Sequence, residues 1–269
     1  MEMTRTVGQT MHELMSELYP LCRSITGEGV RKTLEILGRL LPLKIHEVPT
    51  GTRVFDWTVP KEWNIRDAYI KNARGERIVD FQKLNLHVVS YSSPVNRRIP
   101  LDELQKHLFS LPDHPDWIPY RTSYYNENWG FCVSERQRES LKDDTYEVCI
   151  DSSLEDGSLT YAEHFLQGEL DDEILISCHI CHPSLCNDNL SGVILSTHLA
   201  KYLSQQTIHR YSYRFLFIPG TIGSITWLAR NENKLDLIRY GLVVTCVGDG
   251  GRFTYKKSRR GDTEIDLAV

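Results

Sequence analysis

From residue 173 to residue 247 the apolar period changes four times, and this alternation constrains the fold more than any other feature of the sequence. Residues 173–180, 213–218 and 241–247 are apolar runs of strand length, whereas residues 190–203 and 222–233 carry apolar positions at helical spacing. Strands apolar on both faces need cover on both sides. A helix between consecutive strands carries the chain back for parallel pairing through a right-handed crossover. The expected fold class is therefore α/β, with a mostly parallel central sheet and flanking helices.

Upstream, residues 7–18 place Val7, Met11, Leu14, Met15 and Leu18 on one helical face, and residues 29–41 repeat the pattern with Val30, Leu34, Leu37 and Leu41. Thr26 is the expected N-cap of the second helix and Pro42 its stop. Residues 43–48 alternate as a strand. Between 59 and 142 the texture changes: Pro60, Pro94, Pro100, Pro112, Pro115 and Pro119 break it into short pieces, and Trp63, Trp117, Tyr120, Tyr124, Tyr125 and Trp129 concentrate there. This stretch reads as a small inserted domain, residues 59–142, with its own core and a short helix at 101–109, the alternative being a long structured loop. Residues 1–58 and 143–269 then form one discontinuous α/β domain, in which residues 146–150 and 159–166 read as a hairpin.

Composition excludes several classes. At 269 residues with 41% hydrophobic content the chain can bury a core, and 31 basic against 36 acidic residues, dispersed to a net charge of -5, leave no footprint for nucleic acid or anionic lipid. No apolar run approaches the roughly 18 residues needed to span a bilayer, and residues 1–10 lack the order of a secretion signal. The seven cysteines are odd in number, with Cys178, Cys181 and Cys186 crowded together, which points to free thiols in a reducing compartment, the cytoplasm.

In open α/β sheets the ligand site lies beyond the carboxyl ends of the strands. Three such ends carry chemistry or turn residues here: Cys178-His179-Ile180-Cys181-His182-Pro183 with the following Asn187-Asp188-Asn189-Leu190-Ser191-Gly192, then Pro219-Gly220-Thr221, then Gly248-Asp249-Gly250-Gly251. Zinc takes imidazole nitrogen and carboxylate oxygen at about 2.0–2.2 Å, so His179, Asp188 and Asp249 are candidate ligands, with His182 either a further ligand or an orienting partner. Other readings stay open. Asp188 would also serve as a helix N-cap, and Cys178, Cys181, Cys186 and a histidine would make a closed structural zinc site. Side chains alternate along a strand, so Cys178 and His179 point apart.

The His-x-Cys-His-Pro and Asn-Asp-Asn-x-Ser-Gly blocks, Pro219 to Ser224 and Val247-Gly248-Asp249 resemble a zinc-aminopeptidase-like family first described only as domains of unknown function, a distant branch of the bacterial zinc exopeptidases. The resemblance covers nearly the whole chain, with residues 57–70, Tyr91-Ser92-Ser93-Pro94 and Trp129-Gly130-Phe131-Cys132 matching its inserted small domain. It implies that His179 binds one zinc, that Asp188 bridges two and that Asp249 completes the first site. It also implies a peptidase in which metal activates water and polarises the scissile carbonyl while a carboxylate takes the proton, releasing a free amino acid. Three positions depart from the exopeptidase pattern: Cys181 replaces an orienting Asp, Pro219-Gly220 replaces a Glu-Glu pair, and no histidine follows His209. Relatives continue past the residue that ends this sequence, so a second zinc is expected only with ligands from a longer chain.

The leading expectation is a zinc-dependent aminopeptidase-like hydrolase acting on a peptide or related small amide, with no catalytic residue assigned. A relative that binds a peptide or amino acid without cleaving it is the alternative suited to Gly220. An interaction protein using exposed aromatics of the insert is a third. Self-association is left open.

Overall fold

The computed structural model describes residues 6–269; the first five residues, which belong to the secretion-signal reading, lie outside them. In chain order the principal elements are α1 (Val7–Leu18), α2 (Glu28–Gly38), β1 (Lys44–Pro49), β2 (Glu62–Lys71), β3 (Arg77–Asp80), β4 (Val95–Pro100), β5 (Thr145–Glu155), β6 (Ser158–Leu166), β7 (Leu170–His179), α3 (Gly192–Ser204), β8 (Tyr211–Ile218), α4 (Ile222–Arg230) and β9 (Ile238–Val243). Helix α1 starts at a capping box, in which Thr6 and Gln9 satisfy each other's backbone N–H groups. Thr26 does not cap α2. Gly27 holds that position, and the Thr26 hydroxyl accepts from the Trp63 N–H at 3.0 Å and lies 2.5 Å from the Tyr91 hydroxyl.

The larger sheet has the order β1-β6-β8-β7-β9. The α/β class holds, but the sheet is mixed. Strands β7, β8 and β9 pair in parallel, whereas β1, β6 and β8 pair antiparallel. The reason lies in the link between β6 and β7. Only residues 167–169 join them, too few for a crossover, so the chain reverses and β6 runs against the parallel set.

The smaller sheet, β3-β2-β5-β4, is antiparallel throughout. It corrects the expected hairpin: β5 and β6 are consecutive yet lie in different sheets. Strand β5 buries Tyr146, Val148 and Ile150 on alternate positions against Ala68, Ile70, Val79 and Ile99, so its period identifies a strand while its partners come from 45 or more residues earlier. The smaller sheet therefore extends past residue 142. Residues 101–109, expected as one helix, form a helical turn at Leu101–Leu104, a 3-10 turn and a two-residue strand at Leu108–Phe109.

Two apolar layers sandwich the larger sheet. On β8, Phe215 and Phe217 face α1, α2 and α3 through Leu18, Leu34, Leu37 and Val193, while Leu216 and Ile218 face Trp227, Ile222, Tyr161 and Trp63. Each such aromatic or aliphatic burial stabilises the fold by about 1.5–3 kcal/mol. The insert's tryptophans separate: Trp63 is buried in the second of these layers, Trp129 packs on the core of the smaller sheet, and Trp117 is exposed and stacked on His114.

Candidate metal centre

Strands β7 and β8 end level with each other, His179 standing in register with Ile218. Because side chains alternate on β7, Cys178 enters the buried core with Ile176, and His179 projects to the opposite face at the strand's carboxyl end. The chain then passes through an irregular loop containing His182 and a π-helical turn at Cys186–Ser191 before α3 begins. Within that turn Asp188 is extended (φ -111°, ψ 89°), which directs its carboxylate toward the histidines rather than to the N–H groups of α3, whose N-cap is Ser191.

Three ligand-type atoms meet there. Nε2 of His179 lies 2.7 Å from Oδ1 of Asp188 and 2.9 Å from Nδ1 of His182, and the latter is 3.3 Å from the same carboxylate oxygen. One imidazole N–H cannot serve two acceptors at full strength, whereas a cation between the three atoms satisfies all of them. A tetrahedral zinc with bonds of about 2.0–2.1 Å sets its ligand atoms about 3.3 Å apart, so the three separations need to open by at most about 0.6 Å. Burial holds His182 below the ordinary histidine pKa, His179 adds to that, and the Asp188 carboxylate opposes it. The neutral imidazole so favoured is the form that binds metal.

Among the described residues this is the one such group of histidine, cysteine and acidic side chains. It brings together His179, His182 and Asp188 but leaves Asp249 out. The expected strand 241–247 would have put Asp249 at a strand end; β9 stops at Val243, and the carboxylate of Asp249 accepts from Asn187 Nδ2 at 3.1 Å and Gly251 N at 2.7 Å instead. A cysteine zinc site does not form either: Cys178 and Cys181 are buried, Cys186 is exposed, and all seven cysteines are free. The Cys181 thiol, pushed up to about 11 by burial, accepts from Gly220 N at 3.2 Å. Two of the three sequence departures therefore lie side by side at the site.

The side chains of Asn187, Asn189 and Ser191 do structural work that their sequence pattern alone did not assign. Buried Asn189 donates to the carbonyls of His179 (3.3 Å) and Val244 (3.1 Å) and accepts from Cys246 N (3.2 Å). Asn187 accepts from Gly248 N at 2.8 Å, and Ser191 accepts from Val247 N at 3.1 Å. The turn that carries Asp188 is thereby stitched to both the end of β7 and the segment after β9. The regular spacing of polar residues around Asp188 was the available signal.

A family model described as "Domain of unknown function (DUF4910)" matches residues 12–269. The chain belongs to the DUF4910 family. A relative from Clostridium acetobutylicum, named "Putative polysaccharide biosynthesis protein with aminopeptidase-like domain", is 59% identical over 262 residues, which are 97% of this chain and 60% of that protein. The DUF4910 chain thus spans about 60% of the length of the curated relative it matches. A crystal structure described as a "putative peptidase", also from Clostridium acetobutylicum, superposes with a TM-score of 0.94 at 59% identity, covering 96% of this chain and 61% of that one. The zinc aminopeptidase BSAP from Bacillus subtilis aligns with a TM-score of 0.59 at 12% identity over 88% of this chain and 69% of its own. A peptidase M28 precursor from Shewanella amazonensis aligns at 0.57 and 11% identity over 86% and 69%. At such identities the likeness is one of fold, and it places the DUF4910 chain in the aminopeptidase-like architecture. No helix among the described residues is long and apolar enough to cross a membrane.

Proposed function

We propose that this chain carries the metal site of a zinc-dependent aminopeptidase-like hydrolase, acting on a peptide or small amide, with His179, His182 and Asp188 as ligands. The observation that carries the proposal is the approach of two imidazole nitrogens and one carboxylate oxygen to within 2.7–3.3 Å of one another at a strand end. When bound, zinc supplies the Lewis acidity that activates water and polarises a carbonyl. The Asp188 side chain is partly exposed, and Asn189 fixes the main chain of His179. The free state of all seven cysteines supports a reducing, cytoplasmic setting.

Gly220 favours a second reading. A Cβ there would meet Cys181 Sγ at 3.4 Å and His179 Cβ at 3.9 Å, so this position borders the site yet offers no side chain to accept a proton. In that reading the protein binds a peptide or amino acid without cleaving it. The test is zinc content of the full chain by elemental analysis, followed by a panel of aminoacyl and acyl-amino acid amides with and without chelator. Stoichiometric zinc with chelator-sensitive turnover supports the hydrolase. Zinc without turnover supports the binder, and absence of stoichiometric zinc overturns the hydrolase reading.

A further inference from the structure

The three candidate ligands are held in place by different means. His179 ends a strand paired on both sides, and Asp188 sits in a turn stitched by Asn187, Asn189 and Ser191. His182 lies in an irregular loop, so its position depends on contacts from elsewhere in the chain. Its carbonyl accepts from Nε of Arg23 at 3.0 Å, and buried Arg23 is itself anchored through Nη1 to the Leu18 carbonyl at 2.6 Å. Its imidazole meets the ring of Tyr120 edge to face, with centroids 5.0 Å apart and planes at 81°.

Tyr120 comes from the segment between β4 and β5, and it is held firmly. Its hydroxyl lies 2.8 Å from that of Tyr124, Tyr124 packs edge-on against Tyr91 at 5.3 Å, and Tyr91 donates to the Lys61 carbonyl at 3.0 Å. The backbone just after it is fastened to Ser90, whose N–H donates to Arg121 O at 2.9 Å and whose carbonyl accepts from Ser123 N at 2.8 Å. A ring so restrained limits the rotation of the imidazole it touches, because edge-to-face aromatic pairs have a preferred geometry. We infer that Tyr120 is a positioning residue for the metal centre: through its ring the inserted segment sets the orientation of His182. This rests on the zinc reading above, and its test is chosen to separate the two.

The experiment compares the full-length wild type with Tyr120→Phe, Tyr120→Leu, His182→Ala and the Tyr120→Leu/His182→Ala double variant. Zinc affinity is read by competition with a chromophoric chelator, and the His182 side-chain angle χ1 is read from three-bond NMR couplings in metal-free protein. Partners that orient a metal-bound histidine contribute roughly 10- to 100-fold to affinity. Tyr120→Leu is therefore expected to weaken zinc binding by about 10-fold or more, Tyr120→Phe by less than about 3-fold, and Tyr120→Leu to add nothing once His182 is absent. An equal loss for Tyr120→Leu with and without His182 would mark a general structural effect and overturn the inference. If the wild type takes up no zinc, the function reading fails on its own, and the NMR decides the inference: a His182 χ1 distribution that changes in Tyr120→Leu while remote side chains keep theirs upholds it, and an unchanged His182 χ1 overturns it.

Discussion

Nε2 of His179 and Oδ1 of Asp188 lie 2.7 Å apart although one residue ends a strand and the other sits in the turn before the next helix. The contact is the shortest of the three that define the centre, and Asp188 is the member that touches both histidines. Metal binding should therefore depend on it more than on any other carboxylate. Asp188→Ala is expected to lower zinc affinity by at least about 100-fold, whereas Asp249→Ala, which loses bonds only to Asn187 and Gly251, should stay within about 3-fold of wild type. Isothermal titration of both variants checks this; an equal loss in the two would place Asp249 among the ligands.

Asn189 is buried, and its amide bridges His179, Val244 and Cys246. Truncation leaves two carbonyls and one N–H short of a partner. Asn189→Ala should destabilise the fold by about 1–3 kcal/mol, a fall in melting temperature of roughly 2–4 °C per kcal/mol for a chain of this size. Calorimetric unfolding measures it, and zinc affinity should drop in the same variant because the end of β7 loses its tie to the turn carrying Asp188.

A buried ionic group on the larger sheet sets a separate expectation. Arg214 donates to both oxygens of Glu173 (2.6 and 2.7 Å) and to Glu163 (2.8 Å), which also accepts from the Trp227 indole at 2.6 Å. Removing the cation strands two buried carboxylates. Arg214→Met should cost about 3–5 kcal/mol, and adding Glu163→Gln and Glu173→Gln should recover part of it. Thermal melts of the single and triple variants test the sign; a single variant as stable as wild type would show that the pairing contributes nothing.

The pH dependence of stability should carry a signature from His87. Its ring lies 2.8 Å from the Cys132 carbonyl, and burial holds its pKa below the ordinary histidine value of about 6.5, with the carbonyl opposing the shift. The unfolded chain thus takes up a proton before the folded chain does. As pH falls from about 6.5 to the depressed folded pKa, the unfolded state binds more protons and stability declines; above 6.5 the contribution is flat. Denaturant titrations between pH 5 and 8 should show this slope reduced in His87→Gln, and NMR titration should place the His87 midpoint below 6.5.

Much of the α/β frame was legible because secondary structure leaves a local record. The helix at Val7–Leu18 follows from its apolar spacing, and strand β7 was recognisable from the apolar residues concentrated over 174–180. The closeness of His179, His182 and Asp188 was likewise readable, since ten residues of sequence contain all three. What failed depended on distance along the chain. The period of β5 fits a hairpin with β6 as well as it fits the smaller sheet, and only the apolar surface offered by β2 and β4 decides between them.

The sequence by itself determined most of the helices and strands of the larger sheet, the strand-end position of His179 and the nearness of His182 and Asp188 to it along the chain, all consequences of order and periodicity over a few residues. The tertiary structure alone decided that Asp249 turns to Asn187, that Gly220 borders Cys181, and that Tyr120 reaches His182 from 62 positions earlier in the chain. Those outcomes rest on which distant surfaces bury each other. That choice is made by the packing free energy of the whole chain, and no short stretch of residues records it.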